Sequence, residues 1–315
     1  MVTAETAEKW EKVEEVLELV KASKGEKVFY FFNYCFLAVC AFLTLFPFVN
    51  VIATSFSSSR AITSGEVFLL PVEANINSYI NLVKDGQLFV AMKNTVLVTV
   101  VGTLFNMTAT ILAAYPLSKK RLRGRNLFLM MIVFTMVFSG GMIPGFILVR
   151  QLKLINTYWS LWLPGLLSTY NMFVMRTFFN GIPVSLEEAA IIDGANDITI
   201  LLKIILPLSM PVIATLTLFY AVGGWNSYFG PLMYITTSTK QVLMVKLYQM
   251  IDTMSQTLLN SVSVGGSEGI LQEEMIAPEG IRTAAIVITI APIMCVYPFL
   301  QKYFVKGVMI GSVKG

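Results

Sequence analysis

The densest group of useful side chains runs from Glu187 to Pro211. Glu187-Glu188-Ala189-Ala190-Ile191-Ile192-Asp193-Gly194-Ala195-Asn196-Asp197 is followed by Lys203-Ile204-Ile205-Leu206-Pro207 and Pro211. Ser185 can cap a short helix, with Glu188 three residues on completing a capping box. Gly194 ends that helix, because a glycine at this position accepts the left-handed turn that sends the chain into a second helix. Pro207 then disturbs the hydrogen-bond ladder of that second helix. The expected product is a helix, a turn and a helix in water. Small Ala189, Ala190 and Ala195 permit close approach and Glu188 and Asp193 offer charge, so the element suits a groove on another protein.

A second group is Gly223-Gly224-Trp225-Asn226-Ser227-Tyr228. Sugar rings stack on aromatic faces, and their hydroxyls need polar partners to replace lost water, so Trp225, Asn226 and Tyr228 are candidates for a substrate pathway. The same residues also suit interhelical hydrogen bonding and an interfacial belt. Ser139, Gly140, Gly141 and Pro144 predict a kink or break in a third apolar stretch. Gly141 and Pro144 are therefore further pathway candidates, although small residues also let helices pack closely.

The elements that position these groups are set by composition. Of 315 residues, 56% are hydrophobic and 13% charged, and the mean hydropathy is +0.71, which makes a bilayer the expected solvent. Apolar runs of about 20 residues each are read at 28–56, 94–117, 127–149, 159–175, 208–236 and 283–304. Charged residues fall at their ends or between them, Lys302 at the last edge aside. With no histidine in the chain and no acid at mid-membrane, the usual parts of an ion relay are missing. Lys119, Lys120, Arg121, Arg123 and Arg125 in one connection, and Lys9, Lys12, Lys21, Lys24 and Lys27 ahead of the first span, predict that both segments are cytoplasmic. The connection 57–93, with Arg60, Lys84 and Lys93, and the connection 150–158 are then external. An even number of spans returns the C-terminus to the cytoplasm. The net charge of +4 reads as a topology signal and gives no reason to invoke nucleic acid.

Outside the spans, Trp10, Val13, Leu17 and Val20 recur at helical spacing, so 5–22 is expected to form an amphipathic helix at the membrane surface. The segment 57–93 is expected to be an ordered outer loop with a short helix. The connection 237–281 is a long outer loop with a helical pattern ahead of Gly265, Gly266 and Gly269. Cys35, Cys40 and Cys295 read as small apolar side chains, with no metal or disulfide pattern. The first apolar run follows a charged segment and is too long for a signal core. The domains expected are an N-terminal segment 1–27, a six-span transmembrane domain 28–307 containing the motif 185–207 and the outer loop 237–281, and a tail 308–315. No G-x-x-x-x-G-K-[ST] sequence is present, so ATP phosphates are not cradled in the P-loop manner.

Glu188-Ala189-Ala190, Gly194, Ile204, Leu206 and Pro207 at these spacings resemble the EAA loop of membrane permeases in ABC importers, with Asp193, Ala195 and Pro211 fitting its extended carbohydrate-branch form. From the first span onward the chain is similar to the second permease of maltose-type sugar importers, in the LplC/YtcP-like branch. Shared stretches are Ser139-Gly140-Gly141, Asn156-Thr157, Met175-Arg176-Thr177-Phe178-Phe179 and Tyr297 through Gly307. The resemblance implies an all-α polytopic membrane protein of the type I ABC importer kind, with six transmembrane helices and a cytoplasmic coupling loop, in a bacterial inner membrane. It further implies a homologous second permease, two ATPase subunits that use ATP and Mg, an extracytoplasmic solute-binding protein, and no cofactor bound by this chain. The coupling residues it implies are Glu188, Ala189, Ala190, Asp193, Gly194, Ala195, Ile204 and Pro207, with Glu188 meeting a basic residue of the ATPase. It also implies that 237–281 probes the binding protein and that 308–315 reaches the ATPase subunits. The cargo implied is a sugar or oligosaccharide, complex or acidic ones included. An ion-coupled carrier acting alone, a membrane scaffold that moves no solute, and an importer for another nutrient are the competing readings.

Overall fold

The computed structural model describes residues 24–138, 140–263 and 277–312. The expected helix at 5–22, Ser139, the three loop glycines and 313–315 lie outside them. Among the described residues no strand occurs and every regular element is a helix. Helix α1 (Lys24–Ser55) leads through α2 (Ser59–Thr63) and α3 (Asn77–Asp85) to α4 (Gln87–Ser118). Then come α5 (Arg125–Val137), α6 (Met142–Gln151), α7 (Trp159–Trp162), α8 (Thr169–Asn180) and α9 (Val184–Ile192). The chain continues with α10 (Asp197–Leu208), α11 (Met210–Trp225), α12 (Phe229–Tyr234), α13 (Leu243–Ser263) and α14 (Pro278–Ser312).

Three of these, α1, α4 and the first part of α14, are single helices long and apolar enough to cross a bilayer, and two bent pairs, α5 with α6 and α10 with α11, raise the number of candidate spans to five. The expected span at 159–175 is not one helix. Pro164 and Gly165 fall between α7 and α8, and Ser168 caps α8 with its side chain accepting from Asn171 N–H. Proline removes a donor and glycine disfavours the helix, so an apolar composition at this position does not make a continuous rod. The expected span 208–236 is likewise divided into α11 and α12 at Asn226–Tyr228. The break expected in the third stretch lies at 138–141, where Gly141 adopts φ 84°. Pro144 does not cause it. It sits in the first turn of α6, where its missing N–H is an orphan in any case.

Hydroxyls within these helices are mostly absorbed by the preceding turn: Thr44 Oγ1 donates to Cys40 O at 2.9 Å and Thr95 Oγ1 to Ala91 O at 2.9 Å. Helix α4 is central and packs against α8, α11 and α13, while α14 packs against α1, α11 and α13. Small residues admit these approaches. A side chain at Gly102 would stand 3.2 Å from Trp162 Cδ1, and one at Gly224 would stand 3.5 Å from Thr99. The buried core of Met107, Ala114, Met172, Met175, Ile205 and Leu216 joins α4, α8, α10 and α11. A second cluster of Leu82, Leu88, Ala91, Leu243, Ala284 and Ala285 joins α3, α4, α13 and α14.

The connections gather at two ends. At one end Ser118–Arg125 meets α9 and α10. At the other, Asn94 Nδ2 donates to Thr239 O at 2.8 Å and Gln241 O at 3.0 Å, and Leu243 N donates to Thr95 Oγ1 at 2.8 Å. Asn156, with φ 61°, ties 150–158 to that same end: its Nδ2 donates to Thr237 Oγ1 at 2.7 Å and its Oδ1 accepts from Thr237 N at 3.1 Å. The described part of the 237–281 connection is mostly α13. The final helix runs on to Ser312, so the expected tail at 308–315 begins as a continuation of α14.

Candidate coupling site

Helix α9 begins two residues earlier than the capping box requires. Its N-cap is Pro183, with φ −56° and ψ 129° and no side-chain cap, which places Ser185 inside the first turn. Pro183 carries the extended conformation of an N-cap in its own ring constraint and so displaces the serine from that role. The other end forms as expected. Gly194 takes φ 81°, its N–H donates to Ile191 O at 3.0 Å, and Ala195 N–H donates to Ala190 O at 2.9 Å. This pair of bonds is a Schellman closure, which satisfies the last carbonyls of α9 within the turn itself. Asn196 then caps α10, accepting at Oδ1 from Thr199 N–H at 2.8 Å.

The two faces of this helix pair differ. Ala190, Ile200, Leu201 and Ile205 are buried in the core shared with α4, α8 and α11, and Ile204 and Leu206 pack against it. Burying each of the larger aliphatic chains is worth about 1.5–3 kcal/mol, so the pair is fixed to the helices beneath it. Glu188, Ala189, Ile191, Asp193 and Gly194 are exposed, and Ile192 keeps 86% of its surface. The closed turn thus projects as a knob, with Ile192 flanked by the exposed side chains of Glu188 and Asp193.

Two ion pairs set the knob on its base. Lys119 pairs with Glu187, both side chains only 14% exposed, and the Lys119 ammonium also lies 4.5 Å from the centroid of the Tyr115 ring. Arg121 pairs with Asp197. Arg176 Nε donates to Leu117 O at 2.8 Å, anchoring the same end of α4 to α8. Of the adjacent glutamates, then, Glu187 is engaged within the chain, whereas Glu188 is exposed and forms no ion pair among the described residues. The pairs with Lys119 and Arg121 were not visible in sequence. The basic run and the acids were, but nothing local matches residues 68 and 76 positions apart.

Leu206 N–H bonds to Leu201 O through a π-helical stretch, Leu201–Ile205. Pro207 and Pro211 each deny a donor to the ladder, and α10 meets α11 at an angle of 82° about Ser209. Ser209 is fully buried; its N–H bonds to Ile205 O and Leu206 O, both at 3.0 Å. The disturbance expected at Pro207 is thus a corner centred two residues later.

Of the pathway candidates, Trp225 packs against the α3–α4–α13–α14 cluster, and its Nε1 is buried with no partner among the described residues. Tyr228 packs beside Val98, Val242 and Val245, and its ring centroid lies 5.0 Å from that of Tyr248. Asn226, Gly141 and Pro144 are exposed. The structure separates the three span-five residues, Asn226 being exposed and Trp225 and Tyr228 part-covered by their neighbours.

Residues 106–310 match the family described as binding-protein-dependent transport system inner membrane component. The chain belongs to this family. It is 40% identical to protein LplC of Bacillus subtilis (strain 168) over 294 residues, covering 93% of this chain and 97% of that protein. It is 40% identical over 290 residues to the polygalacturonan/rhamnogalacturonan transport system permease protein YtcP of the same organism, covering 92% and 99%. A chain in the crystal structure of a bacterial ABC transporter that imports the acidic polysaccharide alginate superposes with TM-score 0.81 at 35% identity, covering 90% of this chain and 98% of that one. The chain is accordingly a permease subunit of an ABC transporter, a multi-pass inner-membrane component rather than an enzyme. In the permease, the knob and its corner fall inside the matched region.

Proposed function

We propose that this permease forms half of the import pathway for an oligosaccharide, with acidic ones the favoured class, and draws its energy from a separate ATPase docked on α9–α10. The observation that carries the coupling role is the knob itself: Glu188, Ile192 and Asp193 exposed on a closed turn whose other face is buried in the core of α4, α8 and α11. A push on such an element moves the helices it is rooted in, because a packed core shifts as a body. ATP with Mg closes the ATPase pair, closure is coupled through residues 185–207 to an outward-facing pathway, and hydrolysis releases it. A homologous second permease completes the pathway and an extracytoplasmic binding protein delivers cargo. Both termini and the knob face the cytoplasm, in line with the basic residues beside them. The cargo class rests on the substrates named for YtcP and for the alginate transporter. Asn226, exposed at the interruption after α11, is the foremost candidate for touching it, with Gly141 and Pro144 beside the break in the third stretch.

The deciding experiment is Glu188→Lys in the assembled, reconstituted transporter. Charge reversal at an exposed position leaves the permease folded and assembled in the membrane, while ATP hydrolysis stimulated by loaded binding protein is lost. Wild-type stimulation in that variant overturns the coupling role. Binding of acidic and neutral oligosaccharides to the cognate binding protein tests the cargo separately, and a preference for neutral ones overturns the acidic class.

A further inference from the structure

The connection between α4 and α5 carries more positive charge than the knob uses. Lys119 and Arg121 are paired with Glu187 and Asp197. Among the described residues, Lys120, Arg123 and Arg125 form no ion pair, and Arg125 Nε is shut off from solvent without a hydrogen-bond acceptor. Arg125 also repels the like charge of Arg176 across the α5–α8 contact. An unpaired, partly buried guanidinium beside a second one is unfavourable unless an anion lies close by.

A cavity of about 380 Å³ opens here, lined by Lys120, Leu122, Gly124, Arg125, Asn126 and Leu127. It sits at the start of α5, where the Gly124 cap contributes no side chain and the N–H groups of Asn126 and Leu127 lack a capping acceptor. A neighbouring groove of about 630 Å³ shares Lys120 and Arg125 and extends to Glu188, the one unpaired carboxylate bordering it. The walls are not polar throughout. Helix α5 has no buried residue, and Leu127, Phe128, Met131 and Phe134 are exposed along it, leading away from the cavity into the apolar layer.

We propose that this cavity binds the phosphate of an anionic phospholipid of the inner leaflet, held by Lys120 and Arg125 at the first turn of α5, with the acyl chains lying along α5. The assignment to the inner leaflet rests on the cytoplasmic placement of the knob proposed above. A phosphate diester supplies the missing acceptor for Arg125 and for the open N–H groups, and tails joined to it match the exposed apolar face. A free phosphate ion satisfies the first requirement and leaves the second unmet.

The test is native mass spectrometry of the purified full transporter in detergent, titrated with phosphatidylglycerol, with phosphatidylcholine of the same chains, and with inorganic phosphate. The wild type binds phosphatidylglycerol about tenfold more tightly than phosphatidylcholine, and Lys120→Gln with Arg125→Gln removes that preference. Arg125→Lys, which keeps the charge, retains most of it and shows that loss in the double variant is not loss of fold. Equal preference in wild type and double variant overturns the proposal. So does displacement of the lipid by millimolar inorganic phosphate, which marks a free-anion site. Lipid binding is read here without ATP, cargo or a sided membrane, so its failure is separate from failure of the Glu188→Lys experiment.

Discussion

Glu187 and Glu188 are chemically identical neighbours with opposite surroundings. Glu187 is mostly covered and faces Lys119, whereas Glu188 points to solvent. Lys119→Gln is therefore expected to destabilise the permease by about 1–3 kcal/mol, because it strands a largely covered carboxylate. The measurement is the midpoint of thermal unfolding of the purified complex, and an unshifted midpoint refutes the role given to the pair. Trp225 gives the reverse case. Its buried Nε1 has no acceptor, so Trp225→Phe removes an unsatisfied donor while keeping most of the ring. Uptake of the cognate sugar is expected to stay within about twofold of wild type, a change of less than 0.5 kcal/mol in barrier. A large fall in uptake with normal protein amounts restores Trp225 to the substrate pathway. Both side chains were legible as interesting residues in the sequence, but which glutamate is engaged and which aromatic is packed depends on neighbours far away in the chain.

The helix-turn-helix of the knob was readable because its parts are local. Gly194 requires a left-handed conformation and the residues before it have helical spacing, and the structure has φ 81° there. Nothing stands within 4 Å of a side chain added at Gly194, so Gly194→Ala meets no clash and tests backbone strain alone. It is expected to cost about 1–2 kcal/mol in the thermal unfolding of the complex. A variant as stable as wild type would show that the turn relaxes to another conformation. Other elements were read less well. Ser185 matched the capping pattern but lost the position to Pro183, whose ring already fixes the required φ. The run 159–175 was apolar enough for a span, and composition carries no information on where Pro164, Gly165 and Ser168 interrupt the ladder. The corner at Ser209 was foreshadowed by Pro207 and Pro211, but its angle depends on how α10 and α11 pack on α4, which no local pattern encodes.

Taken whole, the molecule gathers its connections at two ends. The connections at 150–158 and 237–242 are tied together through Asn94, Asn156, Thr237 and Gln241, and the basic connection meets the knob at the other end. Their sidedness is open to direct measurement. With Cys35, Cys40 and Cys295 replaced, an Ile192→Cys variant is expected to react with a membrane-impermeant thiol reagent in inside-out vesicles and to stay unlabelled in right-side-out ones; the reverse pattern inverts the proposed topology. Helix α1 completes the picture: among the described residues none in its most apolar stretch is buried although α14 packs on the helix, so much of its surface is left to lipid or another subunit. The 82° elbow between α10 and α11 has a consequence for the direction of any stroke. A displacement delivered lengthwise along α10 has almost no component along α11, so it arrives there as a sideways swing. Like a bell crank, the elbow gives the coupling role proposed above its geometry: a lengthwise thrust on α10 becomes a lateral displacement of α11.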